Sequence, residues 1–297
     1  MELFEFSNLN LAALPRTPLK LEREIQRLLE TNLETVFGIR FLATEFSTGE
    51  KHAGRIDSLG IDENGTPVIV EYKLTSSENV INQALYYLDW LVDHKADFSM
   101  LVQKKLGPDV QIDWTSPRVL CVADGFGKYD SYAVQQIGRN IELVQYKVFA
   151  NRFLLVDVVS GGRAASKTAK AAIQDTAIYS VKAHLGHTTS ALAEVALEIR
   201  EYLLGLGEDV TESPVKNYVA YRTTRNFCCF EVHRKHLFLY LSLDPAIAVG
   251  CDFCRDMRGI GHFGTGDLEL RITDPAQLNR ALELIGLAYE QASGGVA

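Results

Sequence analysis

The chain has 297 residues, of which 47% are hydrophobic and 23% are charged. This composition excludes a disordered chain and indicates a globular protein of one large domain or two ordinary ones. The formal net charge of −8 argues against broad, nonspecific binding of nucleic acid, although a local basic groove is still allowed.

Neither half of the chain is basic. Residues 1–159 carry 16 basic and 22 acidic side chains, and the remainder carries 14 and 16. No apolar run approaches the length needed to span a bilayer, and the acidic N-terminus, Met1–Phe6, lacks a signal-peptide pattern. The five cysteines are odd in number, which together with the absent export signal predicts a cytoplasmic protein in a reducing compartment.

The first predicted helix covers residues 18–35. Thr17 can cap it, and Pro18 suits its first position. Its apolar residues recur at helical spacing and predict one buried face; they are Leu21, Ile25, Leu28, Leu29 and Leu33. A strand is predicted next, over residues 36–46.

Residues 54–74 predict a β-hairpin. Arg55 to Ile61 alternates as a strand does, Asp62 to Gly65 forms the turn, and residues 67–74 are rich in Val and Ile. Asp57 therefore lies on one strand of the pair, and Glu71 and Lys73 lie on the other. Because residues two apart on a strand point to the same side, Glu71 and Lys73 share one face of the sheet.

The rest of the first half predicts alternating helices and strands. We expect a helix over 78–96 that continues through 98–106, a buried strand over 118–123 and a short helix over 131–138. A closing strand pair covers 141–149 and 153–159. Together these elements predict an α/β (α+β) layer with a mixed central sheet flanked by helices.

The composition changes abruptly near residue 160. We predict a first domain over 1–159, a small, polar and basic linker over 160–174, and a second domain over 175–297. The second domain is predicted to be a smaller α+β unit, with helices over 172–206 and 276–292. Its predicted strands cover 218–222, 227–233, 236–243 and 267–272.

Asp57, Glu71 and Lys73 suggest chemistry on phosphodiesters. Mg²⁺ and Mn²⁺ prefer carboxylate and carbonyl oxygens, so Asp57, Glu71 and the backbone carbonyl of Tyr72 are the predicted metal ligands. Lys73, a compact point charge, would orient the attacking water or stabilise the developing negative charge. The alternative is a surface ion cluster on a solvated sheet face.

Over residues 20–125 the chain resembles the PD-(D/E)xK nuclease superfamily, and within it the NucS-type and related restriction-like endonucleases. The resemblance rests on Gly54-Arg55-Ile56-Asp57, on Glu71-Tyr72-Lys73 and on the following helix with Gln83 and Tyr87. The chain departs from the family pattern because no proline precedes Asp57. In NucS-type enzymes a dimerising DNA-binding domain precedes the core, whereas here the core comes first, so the likeness implies no mismatch or flap specificity.

The resemblance implies a restriction-endonuclease-like core with Asp57 and Glu71 as metal ligands and Lys73 as the catalytic lysine. It also assigns catalytic roles to two residues on helices. Glu24 is the best match for the acid on the first helix, with Glu30 and Glu34 as weaker candidates, and Gln83 matches the glutamine after the motif. Arg55 and Tyr87 are expected to contact the substrate.

Residues from about 175 onward resemble the DUF5655 family, which has no role that could be transferred. The matching stretches are Tyr218–Arg222, Phe227–Val232 and Gly261–Glu269. Cys228, Cys229, Cys251 and Cys254 could supply thiolates to zinc, but adjacent cysteines on a strand point to opposite faces, which favours buried or incidental thiols.

Two further features of the second half stay open. The glycine-rich residues 259–266 could cradle a phosphate or form a structural loop. A group of basic residues near the predicted hairpins could bind an anion or nucleic acid, or be a solvated face; it comprises Arg222, Arg225, His233, Arg234, Lys235 and His236.

The sequence therefore predicts a nuclease dependent on Mg²⁺ or Mn²⁺ that hydrolyses phosphodiester bonds of DNA as an endonuclease in repair or defence. Single-stranded or branched DNA is included among its expected partners, and a homodimer is left open. The alternative is a non-catalytic nucleic-acid-binding or regulatory protein on a nuclease scaffold, which the acidic charge of both halves favours.

Overall fold

The computed structural model describes residues 2–75, 79–161, 179–185, 188 and 190–294. Contacts divide the chain into two compact units, the first formed largely by residues 2–161 and the second largely by residues 179–294. Most of the predicted linker over 160–174 lies outside the described residues, so the domain boundaries stay a prediction. Among the described residues, none of the helices has the length and apolar character needed to cross a membrane.

The first unit is built on a six-stranded sheet. After an N-terminal hairpin of β1 (Phe4–Ser7) and β2 (Asn10–Ala13), its strands are β3 (Ile39–Ser47), β4 (Arg55–Asp62), β5 (Pro67–Lys73), β6 (Arg118–Ala123), β7 (Ile141–Phe149) and β8 (Phe153–Gly161). They lie side by side in chain order. Pairing is antiparallel for β4–β5 and β7–β8 and parallel for β5–β6 and β6–β7, so the sheet is mixed.

Five helices accompany this sheet: α1 (Glu22–Phe37), α2 (Gly49–His52), α3 (Val80–Asp93), α4 (Lys95–Leu106) and α5 (Lys128–Ile137). Helix α3 packs on β5 and β6, with Val80, Ala84 and Leu91 fully buried. In α1, Ile25, Leu29 and Leu33 are buried as predicted, whereas Leu21 and Leu28 are exposed. The buried stripe of α1 is therefore narrower than its sequence suggested.

Several further features of the first unit differ from the sequence prediction, among them the short helix α2, which was not predicted. The hairpin of β1 and β2 was not predicted, because its residues are exposed throughout and show no buried face. The helix expected over 78–96 ends at Asp93, and α4 begins at Lys95, because His94 adopts a non-helical backbone (φ −111°, ψ 40°).

The second unit is an antiparallel six-stranded sheet with helices. Its elements are α6 (Val181–Leu185), α7 (Ser190–Gly205), β9 (Thr211–Pro214), β10 (Val219–Arg222), β11 (Asn226–Val232), β12 (Leu237–Leu241), β13 (Cys254–Asp256), β14 (Leu268–Ile272) and α8 (Leu278–Ala292), with 3₁₀ turns at Pro245–Ala248 and Pro275–Gln277. The strand order is β13-β14-β12-β11-β10-β9. Helices α7 and α8 pack on one face of this sheet through a continuous apolar core.

The predicted fold class is confirmed: a mixed sheet flanked by helices, followed by a separate α+β unit with an antiparallel sheet. The short edge strands β9 and β13 were not predicted. Cys251 and Cys254, expected to be free thiols, are joined by a disulfide, while Cys228 and Cys229 are buried and free. Among the described residues, no three His, Cys, Asp or Glu side chains group so as to hold a metal, which argues against the four-cysteine zinc site.

Candidate active site

Asp57 and Glu71 face each other across β4 and β5 and are linked through the backbone of both strands. The Asp57 N–H donates to Glu71 Oε1 at 3.3 Å, and the Tyr72 N–H donates to Asp57 Oδ2 at 3.0 Å. The regular pairing of the strands ends one step earlier, at Ser58 and Val70. The two carboxylates therefore occupy the place where backbone pairing would otherwise continue.

Both carboxylates lie in a poorly solvated position. Glu71 is only 1% exposed, and burial together with the nearby Asp57 charge raises its pKa to about 9. Burial also raises the pKa of Asp57, against the Tyr72 N–H and the Lys73 charge, which lower it. Because burial disfavours the charged form of an acid, this pair needs a cation or protons for stability.

The Tyr72 carbonyl belongs to the same site by strand geometry. In an extended strand, the N–H and C=O of one residue point toward the same neighbouring strand. The Tyr72 N–H points to Asp57, so its carbonyl also faces β4 where the ladder has ended. The Tyr72 ring lies on the opposite face of the sheet, where it is buried near Ser58.

Lys73 lies at the end of β5, and its nearest ionic partner comes from α1. Lys73 Nζ is 3.6 Å from Glu22 Oε2. Lys73 also acts electrostatically on both Asp57 and Glu71, whose pKa values it lowers. The lysine thus lies between the first-turn acid of α1 and the two sheet carboxylates.

The structure positions Glu22, rather than Glu24, next to Lys73. The Glu24 carboxylate turns back toward the start of α1 and accepts the N–H groups of Lys20 at 2.8 Å and Leu21 at 3.0 Å. These hydrogen bonds lower the pKa of Glu24. Glu24 therefore caps the helix, which begins at Glu22 and not at residue 18, and its assignment as the catalytic acid of the helix stays a prediction.

Gln26, which the sequence did not single out, connects α1 to the strand of Asp57. It is 6% exposed, and its Nε2 lies 3.1 Å from the Asp57 carbonyl oxygen and 3.2 Å from Glu45 Oε1. Its Nε2 is also within bonding distance of Glu30 Oε1 and Thr44 Oγ1. A glutamine on an amphipathic helix gives no sequence signal of this role, which only burial of its amide reveals.

Two open depressions flank the carboxylate pair. One, of about 260 Å³, is lined by Glu22, Arg23, Gln26, Glu45, Arg55 and Asp57. Within it, the Arg55 guanidinium makes an ion pair with Glu45. Arg55 is exposed, so its guanidinium is accessible from this depression.

The other depression, of about 470 Å³, is lined by Lys73, Asn79, Asn82, Gln83, Tyr86 and Tyr87. Gln83 therefore lines the same depression as Lys73, and its catalytic role stays a prediction. Tyr87 is only 7% exposed, and its hydroxyl accepts the Arg55 N–H at 3.3 Å. We infer that Tyr87 supports the start of β4, whereas Tyr86, at 46% exposed, presents the accessible ring.

The donor set fits a hard divalent cation. Each carboxylate uses one oxygen to accept a strand N–H, and its second oxygen accepts no hydrogen bond from the described residues. Two such oxygens and a carbonyl are the ligands that Mg²⁺ and Mn²⁺ take from proteins, with waters and substrate phosphate completing the shell. The described part of the chain offers two carboxylates here rather than a cluster of three acids.

Comparison with known proteins identifies the second unit. Residues 181–292 match the model of DUF5655, a domain of unknown function, and the predicted resemblance of this half is thereby confirmed. A protein of Haemophilus influenzae described as uncharacterized is 26% identical over 309 residues, covering 98% of this chain and 100% of its own.

Two solved structures resemble part of the chain. One is the crystal structure of a repair endonuclease from Pyrococcus abyssi, with 17% identity, a TM-score of 0.29 and coverage of 43% of this chain and 48% of that one. The other is the structure of an EndoMS–dsDNA2 complex, with 19% identity, a TM-score of 0.27 and coverage of 49% and 64%. The matches span less than two thirds of either solved chain, and at these TM-scores neither likeness bears on activity.

Proposed function

We propose that the first unit is a metal-dependent nuclease that hydrolyses phosphodiester bonds of DNA as an endonuclease. The observation that carries the proposal is the pair of a buried Glu71 and a half-buried Asp57, each of which accepts a backbone N–H across β4 and β5, with Lys73 at the end of β5. Buried like charges with raised pKa values are unusual outside functional sites.

Asp57, Glu71 and the Tyr72 carbonyl would hold the Mg²⁺ or Mn²⁺ ion. When bound, the ion neutralises charge on the scissile phosphate and lowers the pKa of a water. The Tyr72 N–H holds one oxygen of Asp57, and the Asp57 N–H holds one oxygen of Glu71. The second oxygen of each carboxylate would then be available to bind the ion. This fixation sets the carboxylate positions before the substrate arrives.

Lys73 supplies the positive charge of the chain itself at this site. Only 18% of its side chain is exposed, so its charge is weakly screened and acts strongly on a phosphate oxygen beside it. Glu22 holds Lys73 Nζ at 3.6 Å and would keep the ammonium directed at the site. Gln26 Nε2 donates to the backbone carbonyl oxygen of Asp57 and so holds this part of β4 in place.

Gln83 and Arg55 would bind the substrate on the two sides of the carboxylate pair. Gln83 lines the larger depression with Asn79, Asn82 and Tyr86, a surface of amides and one accessible ring. Such groups bind sugar, phosphate and base edges. The choice of DNA over RNA rests on the sequence resemblance, so RNA belongs among the test substrates, as do repair and defence substrates such as branched DNA.

The proposal is tested by incubating the pure chain with labelled single-stranded, double-stranded and branched DNA and with RNA, in Mg²⁺, Mn²⁺ or EDTA. We expect cleavage of a DNA substrate only with metal, and a loss of roughly 10²-fold or more in Lys73→Ala. Circular dichroism of each variant checks that it folds.

Absence of cleavage from every substrate with either metal would contradict the nuclease. Retention of substrate binding in that experiment would instead support the alternative, a nucleic-acid-binding or regulatory protein on the same scaffold. Equal cleavage by wild type and Lys73→Ala would show that the activity resides elsewhere.

A further inference from the structure

The antiparallel sheet of the second unit has two unlike faces. One face packs on α7 and α8 through the large apolar core. The other has a small apolar cluster of Val215, Tyr218, Ala220, Cys229, Tyr240 and Met257, drawn from strands and loops alone. The second face, called here the aromatic face, carries rings and charges on β11, β12 and β14.

Five rings run in a continuous series over the aromatic face. His233 stacks on His236 with centroids 4.7 Å apart, and His236 contacts Phe238 at 4.6 Å. Phe238 lies 6.1 Å from Tyr240, which stacks on His262 at 4.4 Å. His262 covers the Tyr240 end, whereas His233 is exposed and His236 and Phe238 are partly exposed.

Cationic side chains surround the accessible end of this series. Arg271 is the direct cross-strand partner of Phe238, so both project from the same face. Arg234 and Lys235 lie in the turn between β11 and β12, whereas Arg255 on β13 is the cross-strand partner of Glu269 beside Tyr240, toward the covered end of the series. All four are exposed, and none of them forms an ion pair within the described chain. These charges complement phosphates placed beside the rings.

Glu231 gives an independent sign of a ligand at the aromatic face. It pairs with Phe238 across β11 and β12 and is 5% exposed. Its Oε2 accepts the His233 Nε2–H at 3.0 Å, but its Oε1 is buried and has no hydrogen-bond partner among the described residues. A buried acceptor without a donor is unfavourable, and a ligand N–H in this place would remove the penalty.

We propose that the aromatic face binds an unpaired base of single-stranded nucleic acid. The base stacks on the His236 and Phe238 rings, an exocyclic amine donates to Glu231 Oε1, and the backbone phosphates lie against Arg271 and its basic neighbours. The side chain of His233 is 46% exposed and bonds to the other oxygen of Glu231, so it must turn aside for a base to reach Glu231 Oε1. This site is separate from Asp57 and does not require that the first unit cleaves DNA.

The chemistry favours single strands over duplexes, because the faces of paired bases in a duplex are stacked on one another and cannot reach protein rings. It also predicts a base preference. Cytosine carries an exocyclic amine whose N–H a glutamate accepts, whereas thymine has a carbonyl oxygen at that position and a methyl group on the neighbouring carbon. Oligo(dC) is therefore expected to bind more tightly than oligo(dT).

The first test measures fluorescence anisotropy of labelled 12-nucleotide oligo(dC), oligo(dT), oligo(rC) and a duplex of equal length with the full chain in EDTA. We expect Phe238→Ala and His236→Ala each to weaken single-strand binding by about fivefold or more. The matched control is Tyr132→Ala, which removes a 66% exposed ring from α5 and should leave the affinity unchanged.

Binding of oligo(dC) and oligo(rC) alike would identify the base as the recognised group, and a difference between them would add a sugar contact to the stacked base. No single-strand binding by the wild type, duplex binding as tight as single-strand binding, or an equal effect of Phe238→Ala and Tyr132→Ala would overturn the proposal.

The second test compares oligo(dC) with oligo(dT) in Glu231→Gln. The variant keeps the size of the side chain but loses the charge and can turn its NH₂ toward the ligand, so the preference for oligo(dC) should fall or reverse while stacking persists. An unchanged preference in Glu231→Gln, in protein whose circular dichroism matches the wild type, would refute the role of Glu231. Because both tests exclude metal, their failure is distinct from failure of the nuclease proposal.

Discussion

Asp57 and Glu71 are the residues whose charges are hardest to explain without a ligand. Glu71 is buried and Asp57 is half-buried, their pKa values are raised, and Lys73 is held by Glu22 rather than by either of them. Their pairing was predictable from sequence, because the alternation of β4 and β5 and the turn between them fix which residues meet. Gln26 was not predictable, since an amide on a helix carries no signal until its burial is known.

The structure distinguishes two glutamates of α1, of which the sequence resemblance favoured Glu24. An acid in the first turn of a helix can cap the helix or serve a neighbouring site, and only side-chain direction distinguishes the two. We expect Glu22→Gln to lower cleavage several-fold, because Lys73 loses its partner. Glu24→Gln should change cleavage by less than about twofold and lower the stability of the helix, because the capping contacts to the Lys20 and Leu21 N–H groups weaken. Steady-state cleavage rates and urea denaturation measure the two effects.

A reversed order, with Glu24→Gln the more damaging to cleavage, would show that Glu24 swings into the site and that the capping contacts to Lys20 and Leu21 are not maintained in the working enzyme.

Glu71 makes the stability of the metal-free protein depend on pH. Its pKa is raised from 4.5 to about 9, so the folded state holds a proton that the unfolded state releases. The stability that this bound proton contributes to the folded state is fully present below pH 4.5 and is lost as the pH rises toward 9. The raised pKa of Asp57 acts in the same direction. Glu71→Gln should remove most of this pH dependence of the free energy of unfolding and stabilise the protein at pH 8 by on the order of a few kcal/mol.

Urea denaturation in EDTA at several pH values between 5 and 9 measures this difference. If the free energy of unfolding of wild type and Glu71→Gln changes in parallel across that range, Glu71 is solvated and ionised, and the site is not the desolvated pair described above.

Among the elements, the β4–β5 hairpin was the most predictable and the flanking elements were less so. Asp62 N–H bonds to the Thr66 carbonyl oxygen, and Gly65 has φ +76°, as the turn residues indicated. The break between α3 and α4 at His94 was not visible, because the apolar period continues across it. The hairpin of β1 and β2 was missed because exposed strands lack the alternation that prediction relies on.

The approach of β3 to β4 depends on a glycine beside the site. A Cβ on Gly60 would lie 3.0 Å from the backbone oxygen of Arg40 and against the Ile39 side chain. Gly60→Ala should therefore force the strands apart and destabilise the protein by about 1–3 kcal/mol. Gly205→Ala is the matched control, because a Cβ there meets no atom within 4 Å. Thermal unfolding measures the stability of both variants. Equal melting temperatures of Gly60→Ala and Gly205→Ala would contradict the close approach of β3 to β4.

For the whole molecule, metal binding should be visible as added stability. An ion that binds the folded state at 100 times its Kd contributes about 2.7 kcal/mol. We expect saturating Mn²⁺ to raise the melting temperature of the wild type by several degrees and to leave Asp57→Asn unchanged, since Asp57 is a proposed ligand. Differential scanning calorimetry with Mn²⁺ or EDTA measures the shift. Equal shifts in both proteins would locate the ion elsewhere.

The two units differ in the chemistry of the side chains that they offer to a ligand. The first unit offers carboxylates, a lysine and amides, which suit the phosphodiester hydrolysis that we propose. The second offers a series of rings with surrounding cations, which suits binding. The acidic charge of the whole chain does not oppose this, because recognition by stacking and by local cations needs no basic surface overall.

The most direct measurement is cleavage of circular single-stranded DNA by the wild type and by Asp57→Asn, each with Mn²⁺ and with EDTA. The account predicts linear products from the wild type with Mn²⁺ only, and none from Asp57→Asn at the same concentration, while both proteins stay folded. Cleavage by Asp57→Asn at the wild-type rate, or by the wild type in EDTA, would contradict it.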